Sequence, residues 1–132
     1  MTLRERQDQF IADMDLFDHW TDRFNYLISE GEELPETFPE YLTAYRIEGC
    51  QSKTCFKVWL HEGLLYVCGW SNSAVMGGII VAMTKIFNFS TMEELRHTPI
   101  DFHLKTGLID NLTSIRRSAL EEMIRRIVSL TA

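Results

Sequence analysis

The chain has no stretch suited to crossing a membrane and no excess of basic residues. None of its apolar runs approaches the roughly 20 residues that a membrane-spanning helix needs. Its 13 Lys and Arg residues are outnumbered by 19 Asp and Glu residues, giving a net charge of −6. General nucleic-acid binding requires a basic face, so this balance argues against it. The first residues lack the apolar run of a signal peptide, and we therefore expect a cytoplasmic protein.

Cysteine is scarce, and its spacing matches no metal-binding motif. The three cysteines are Cys50, Cys55 and Cys68, an odd number that argues against a disulfide framework. The four histidines are scattered, and neither Cys-x-x-Cys nor His-x-x-x-His occurs. No glycine-rich phosphate-binding loop is present either. We therefore expect this chain to hold no metal and no cofactor of its own.

What the chain does contain is enough apolar sequence for one core. It has 132 residues, of which 45% are hydrophobic, and this suits a single domain over residues 1–132. The apolar spacing predicts an α+β fold, in which a small antiparallel β-sheet packs against N-terminal and C-terminal helices. Helices are expected over about 3–14, 16–30, 74–87, 91–96 and 114–130, with a further turn within 101–110. Strands are expected over about 54–60 and 64–70.

Capping residues and glycines set the predicted element ends. Capping boxes are expected at Thr2 with Glu5 and at Ser90 with Glu93. The other predicted helix caps are Asp15, Asn72 or Ser73, and Thr113. Turns or helix ends are expected at Gly31, Gly63 and Gly107. Gly77 and Gly78 lie inside a predicted helix, where each costs about 1 kcal/mol relative to Ala, so we expect another backbone to pack closely there.

Cys50 lies where the mostly helical half of the chain meets the first strand. Residues 36–48 have mixed polarity and no clear period, so we expect an irregular segment that delivers Cys50 and is anchored by Tyr41, Leu42, Tyr45 and Ile47. Gly49 suits a tight loop because it tolerates unusual backbone angles. A lone cysteine is most often a small buried hydrophobe, and we interpret Cys55 and Cys68 in this way. At Cys50, a reactive thiol on a loop is the alternative.

Three groups of residues resemble the SufE family. Gly49-Cys50-Gln51-Ser52, followed by an apolar strand, is similar to the family's Gly-Cys-Gln-Ser motif. Upstream, the matching residues are Trp20, Arg23-Phe24, Leu27-Ile28, Gly31 and Leu34-Pro35. Downstream, they are Leu112-Thr113, Arg116, Leu120 and Met123-Ile124. The chain departs from the family pattern at Phe24, Thr54-Cys55, Trp70, Asn72, Asn111, Ser114 and Ala119.

The resemblance implies a function centred on Cys50. SufE-like and CsdE-like proteins accept sulfur from a cysteine desulfurase during iron–sulfur cluster assembly, so Cys50 would carry a persulfide and pass sulfur to a cluster scaffold. The chain would be a covalent carrier and desulfurase activator without independent turnover. The implied partners are a desulfurase of the SufS or CsdA type, which holds the pyridoxal phosphate, and the scaffold complex. The implied fold is SufE/IscU-like, in a monomer or loose homodimer.

The thiolate is the attacking form, so groups that stabilise it are of interest. Gly49, Gln51 and Ser52 are expected to support the Cys50 loop. Lys53 is close in sequence, and Arg116 is a further candidate cation if the last helix begins beside the loop, where the helix N-terminus would also help. Arg116, Arg117, Arg125 and Arg126 together form a possible basic patch, although for three of the four we favour a solvated helix face.

Other classes of function stay open on sequence alone. Cys50, Cys55 and Cys68 could serve a metal or iron–sulfur scaffold if they converge. A thiol redox sensor would require a resolving cysteine near Cys50, and a strand would carry Cys55 away. In a binding module without chemistry, Cys50 would be incidental.

Overall fold

The computed structural model describes residues 1–49 and 52–131. Its helices are α1 (Leu3–Asp15), α2 (Trp20–Gly31), α3 (Ala74–Phe87), α4 (Met92–His97), α5 (Phe102–Lys105) and α6 (Ser114–Ser129). Two strands, β1 (Thr54–His61) and β2 (Leu64–Ser71), pair in an antiparallel sheet. Short 3-10 helices cover Glu40–Tyr45 and Ile109–Asn111. This arrangement confirms the predicted α+β class with a small antiparallel sheet flanked by helices.

The β-hairpin is closed by a turn whose residues both have left-handed backbone angles. Its register pairs His61 with Leu64. Glu62 has a φ of 51° and Gly63 a φ of 78°. Two successive positive φ values match the right-handed twist of the strands, and Gly63 adopts this conformation at no steric cost. The predicted hairpin and the role of Gly63 are confirmed.

The inner face of the hairpin lies on the main core. Helix α3 packs on this face, and α1 and α2 pack against α3. The main core is defined by its buried apolar side chains, most of which come from the hairpin and from α1, α2, α3 and α6. Among them are Leu3, Phe10, Leu27, Phe56, Leu65, Val67, Ile79, Met83, Phe87, Leu120 and Met123. Most of the molecule is therefore organised around α3.

Helices α2 and α3 cross at very short distance through glycines. A Cβ on Gly78 would lie 2.0 Å from the carbonyl oxygen of Leu27, and a Cβ on Gly31 would lie 2.7 Å from the backbone nitrogen of Gly78. Neither position has room for a side chain. The predicted close approach of another backbone is confirmed, and Gly31 serves this contact as the last residue of α2 instead of following the helix as a cap.

A second, smaller group of side chains packs on the outer face of the hairpin. This outer cluster consists of buried Leu42, Cys55 and Trp70 with half-buried Leu34, Phe38, Tyr45 and Cys68. Leu42 comes from the 3-10 helix within the segment that was expected to be irregular. Of the predicted anchors, Leu42 and Ile47 are buried and Tyr45 is half-buried, but Tyr41 is exposed. The segment preceding Cys50 is thus anchored at Leu42, Tyr45 and Ile47.

Two predicted helix starts lie later in the chain than expected. Helix α2 begins at Trp20 instead of Leu16, and Asp15 ends α1 instead of capping α2. The connection is held by Arg23, whose Nε donates to the Phe17 carbonyl at 2.9 Å. The second capping box uses Thr91 and Glu94, one residue later than expected, because the Ser90 hydroxyl is buried and bound by Arg6.

Candidate functional site

Backbone pairing closes the loop of residues 48–53 at its base. Arg46 and Cys55 form an antiparallel bridge, and the Ile47 amide donates to the Thr54 carbonyl at 2.8 Å. Ile47 is buried in the main core. We call residues 48–53 the Cys50 loop, and the chain segments that lead into and out of it, residues 45–49 and 52–56, its first and second arms. The two arms are therefore tied together at the base of the loop. Cys50 and Gln51 lie outside the described residues, so their predicted roles stay predictions.

Gly49 introduces the sharp change of direction on the first arm. Its φ is +82°, a region that L side chains rarely adopt. Among the described residues, a Cβ at this position would meet nothing within 4 Å, so the positive φ is the observed reason for glycine here. The unusual backbone angles predicted for Gly49 are confirmed.

The second arm is held by hydroxyls and one amide. Ser52 shares a 3.1 Å hydrogen bond with Thr54, whose buried hydroxyl shares another of 2.8 Å with Ser71. The Lys53 amide donates to Asn72 Oδ1 at 3.0 Å, and the Asn72 amide donates to the Lys53 carbonyl at 3.1 Å. Asn72 stands where the family pattern has an acid, and here it extends the strand pairing to Lys53 through its side chain.

The side chain of Lys53 packs on an aromatic ring. Its Nζ lies 3.5 Å from the ring centroid of Phe38, within the range of a cation–π contact. Phe38 in turn meets Trp70 edge to face, with centroids 5.3 Å apart. Trp70 Nε1 donates to the Pro35 carbonyl at 2.7 Å. The second arm of the loop therefore packs beside the outer cluster. Trp70, another departure from the family pattern, is part of that cluster.

Burial raises the thiol pKa of both described cysteines, which lowers their thiolate fraction at neutral pH. Burial raises the pKa of Cys55, while the nearby cations Lys53, Arg46 and Arg126 act in the opposite direction. Burial likewise raises the pKa of Cys68, against the influence of Lys57 and a hydrogen bond from Tyr41. The buried interpretation is confirmed for Cys55, but Cys68 is only half-buried. Lys53, Arg46 and Arg126 thus place positive charge near Cys55, at the base of the Cys50 loop.

Arg126 contacts both arms of the Cys50 loop, a role that the sequence did not single out. Its Nη1 donates to the carbonyls of Tyr45 at 2.9 Å and Phe56 at 2.6 Å. Its Nη2 donates to the backbone carbonyl of Arg46 at 3.1 Å. The predicted basic patch gave no reason to separate Arg126 from Arg125. The usable signal was its position beside Met123 and Ile127, at the border of the apolar face of α6.

Arg116 lies in the first turn of α6, after the predicted cap Thr113. Its side chain is half-buried and, within residues 1–49 and 52–131, takes part in no hydrogen bond or ion pair. The part of α6 that reaches the base of the Cys50 loop is the turn with Arg126, about 15 Å further along the helix axis at 1.5 Å per residue. A direct effect of Arg116 on Cys50 stays a prediction.

No group of three His, Cys, Asp or Glu side chains in the described part of the chain is placed to hold a metal ion. The scaffold alternative depends on Cys50 and is not tested by this observation. None of the described helices is both long and apolar enough to span a bilayer.

Comparison with known proteins decides the family. The model of the SufE, Fe-S metabolism associated, domain matches residues 8–131. The chain belongs to the SufE family. An uncharacterized SufE-like protein of Rhizobium meliloti is 35% identical, over 92% of this chain and 91% of its own length. Similar SufE-like proteins occur in Rhizobium etli, 28% identical over 91% and 85%, and in Haemophilus influenzae, 24% identical over 85% and 91%.

Family membership assigns the SufE-like chain to iron–sulfur metabolism, in the sulfur-acceptor role, with cysteine desulfurases as the partners. The motif residues of the three resembling groups all fall inside the matched range.

Proposed function

We propose that Cys50 accepts sulfur from the persulfide of a cysteine desulfurase, stimulates turnover of that enzyme, and passes the sulfur to an iron–sulfur cluster scaffold. The observation that carries the proposal is the loop itself. The Gly-Cys-Gln-Ser motif lies within residues 48–53, and the described segments on either side of Cys50 are tied together at their base by the Arg46–Cys55 bridge, which supports a role for this motif.

The chemistry is a sulfur transfer related to thiol–disulfide exchange. The Cys50 thiolate attacks the outer sulfur of the desulfurase persulfide. A new S–S bond forms on Cys50, the S–S bond on the desulfurase breaks, and the desulfurase cysteine leaves as a thiolate that takes up a proton. No external oxidant or reductant is required. The protein acts as a covalent carrier, and pyridoxal phosphate chemistry belongs to the desulfurase.

Electrostatics at the base of the loop supports this role. An unperturbed cysteine is only a few per cent thiolate at pH 7, and nearby cations increase that share. Arg46, Lys53 and Arg126 act on the thiol of Cys55, at the closing pair of the loop, in the direction that favours the thiolate. In a chain with a net charge of −6, this local positive charge would also favour the anionic persulfide after transfer.

The partner is proposed to be of the SufS or CsdA type, with a scaffold complex as the receiver. We further propose that the carrier works in the cytoplasm as a monomer or loose homodimer, since it must release one partner before it meets the next.

The test is to mix the protein with its desulfurase and free cysteine, and to follow sulfide release together with intact mass. We expect the wild type to gain the mass of sulfur on the Cys50 peptide. Cys50→Ser should gain none and should no longer stimulate sulfide release. Cys68→Ser is the matched control, since Cys68 is the more exposed of the two described thiols, and it should behave as wild type.

Full stimulation by Cys50→Ser would refute the acceptor role. Sulfur on Cys55 or Cys68 instead of Cys50 would also refute it. If the wild type binds iron or zinc stoichiometrically and Cys50→Ser does not, the metal or iron–sulfur scaffold alternative replaces the acceptor proposal.

A further inference from the structure

Arg126 joins the two arms of the Cys50 loop through a single guanidinium group. On the first arm it binds the carbonyls of Tyr45 and Arg46, and on the second arm it binds that of Phe56. We propose that Arg126 is a positioning residue for sulfur acceptance, which sets the spacing of the two arms and hence the presentation of Cys50. This inference rests on the proposed function of Cys50.

The geometry requires a planar, multiply donating group. One nitrogen, Nη1, binds a carbonyl from each arm, at 2.9 and 2.6 Å, and Nη2 adds a third carbonyl at 3.1 Å. The remaining Nε donates to Glu122 at 3.2 Å, which orients the guanidinium from its own helix. Arginine offers five donors in a fixed fork, whereas lysine offers a compact charge on a flexible stem. A lysine would therefore keep the charge but not the simultaneous contacts.

The low solvent exposure of Arg126 strengthens these hydrogen bonds. Its side chain is 25% exposed, compared with 61% for Arg125, its neighbour on α6. Hydrogen bonds between a charged donor and partly buried carbonyls are stronger than neutral ones. The contacts lie at the Arg46–Cys55 bridge and just outside it, so a change in Arg126 acts on the base of the loop.

Arg125 is a matched control on the same helix. Its Nη1 pairs with Glu122 Oε2 at 3.2 Å, so both arginines share the same carboxylate partner. Arg125→Gln removes one positive charge from α6, as Arg126→Gln does, but in the described part of the chain Arg125 makes no hydrogen bond or ion pair with either arm of the loop. The comparison separates loop positioning from a general change of charge.

The experiment measures two rates for wild type, Arg126→Gln, Arg126→Lys and Arg125→Gln. The first is persulfide formation on Cys50 with limiting desulfurase and free cysteine, followed by mass spectrometry over a range of carrier concentrations. The second is alkylation of Cys50 by iodoacetamide across pH, which reports the thiolate and does not depend on the desulfurase. Far-UV circular dichroism confirms that each variant is folded.

We expect Arg126→Gln to lower the rate of persulfide formation about tenfold, a factor that corresponds to losing one charged hydrogen bond. Arg126→Lys should restore the pH profile of alkylation but not the rate of persulfide formation, and Arg125→Gln should match wild type in both. If Arg126→Gln does not fold, the Lys variant alone decides: a reduced rate with a wild-type alkylation profile supports positioning.

Wild-type persulfide formation by Arg126→Gln, or by Arg126→Lys, would overturn the inference. An equal loss in Arg125→Gln would also overturn it, since charge alone would then explain the effect. These outcomes are distinct from a failure of the proposed function, in which the wild type itself gains no sulfur on Cys50.

Discussion

On its inner face the β-hairpin adds Phe56, Leu65 and Val67 to a core shared with α1, α2, α3 and α6. On its outer face the described buried side chains are Cys55 and Trp70, covered by Leu42 from a 3-10 helix. The inner face has many apolar neighbours, whereas the outer cluster is small and is bordered by Lys53 and the arms of the Cys50 loop. Most buried side chains therefore lie on one side of the sheet, and the aromatic ring that Lys53 of the Cys50 loop contacts lies on the other.

This separation lets a change on one side be distinguished from a change on the other. Damage to the main core should lower the free energy of unfolding and leave the sulfur acceptance of the folded protein unchanged. Substitutions around the Cys50 loop should slow sulfur acceptance and change the free energy of unfolding only a little, because few buried side chains depend on the loop. The predictions below test this division, beginning with the largest expected effect on stability.

The helix crossing on the main-core side offers the largest effect. In Gly78→Ala the new Cβ would overlap the carbonyl of Leu27, and α2 would have to move. Even after the better helix propensity of Ala is counted, we expect a loss of about 2–3 kcal/mol in the free energy of unfolding. Urea unfolding monitored by tryptophan fluorescence measures it.

Gly77→Ala is the control for that substitution, one residue away in the same helix. Its nearest described neighbour would be Leu34 Cδ1 at 3.4 Å, an ordinary contact with a flexible side chain. The same propensity gain, about 1 kcal/mol, should therefore leave Gly77→Ala as stable as wild type or more stable. Equal destabilisation of both variants would contradict the tight crossing at Gly78.

These two glycines also show what could be predicted from the sequence. Two glycines inside an otherwise strong helical pattern signal a close neighbour, and the structure has one. The bounds of α3 and the hairpin turn at Gly63 were predicted correctly, because periodicity, a cap and a positive-φ turn are encoded by adjacent residues. Such local signals were enough for the α+β class.

Features that depend on distant contacts were missed. Ser90 has the right chemistry for a cap, but its hydroxyl is bound by Arg6 from α1, so Thr91 caps instead. Arg126 is indistinguishable from Arg125 in sequence, and its role depends on carbonyls brought to it by the fold. The candidate site was proposed from its Gly-Cys-Gln-Ser motif, and Gly49 and Ser52 were predicted to support the loop, while the contacts that Arg126 and Asn72 make with its arms could be identified only in the structure.

The second prediction concerns an ion pair on the main-core side, far along the chain from the loop. Arg4 binds Asp101 with two hydrogen bonds, at 2.7 and 3.0 Å, and these hold the pKa of Asp101 below its usual range. A lowered carboxyl pKa stabilises the fold above the unfolded value near 3.9, and this contribution is lost as the pH falls through the folded value. Asp101→Asn should cost about 1–2 kcal/mol at pH 7.

Urea unfolding of wild type and Asp101→Asn, at neutral pH and again well below the unfolded pKa, measures this. The difference between the two proteins should shrink at the lower pH. Asp8→Asn is the control, because Asp8 also pairs with Arg4 but its side chain is 58% exposed, and such a pair contributes less than about 1 kcal/mol. Sulfur acceptance by Cys50 should be unchanged in both variants. A slower acceptance in Asp101→Asn would contradict the division between the two sides.

The last prediction concerns a substitution beside the Cys50 loop, which should slow persulfide formation but have the smallest effect on stability. Asn72 accepts the Lys53 amide through its side chain at 3.0 Å, at the end of the second arm. Asn72→Ala removes that acceptor where water can replace it, so the free energy of unfolding should fall by less than about 1 kcal/mol. If the arm positions Cys50, persulfide formation should nevertheless slow by about two- to tenfold, the factor that corresponds to one hydrogen bond.

Asn72→Asp is the matched variant, since a carboxylate can accept the same amide hydrogen and stands favourably just before the N-terminus of α3. It should therefore keep the wild-type rate. Parallel urea unfolding and mass-spectrometric loading of the three proteins give both quantities. A wild-type rate in Asn72→Ala would mean that backbone closure at Arg46 and Cys55 is sufficient to present the thiol. A rate lost in both variants would instead indicate that the amide NH₂ of Asn72 is required, in contact with the partner.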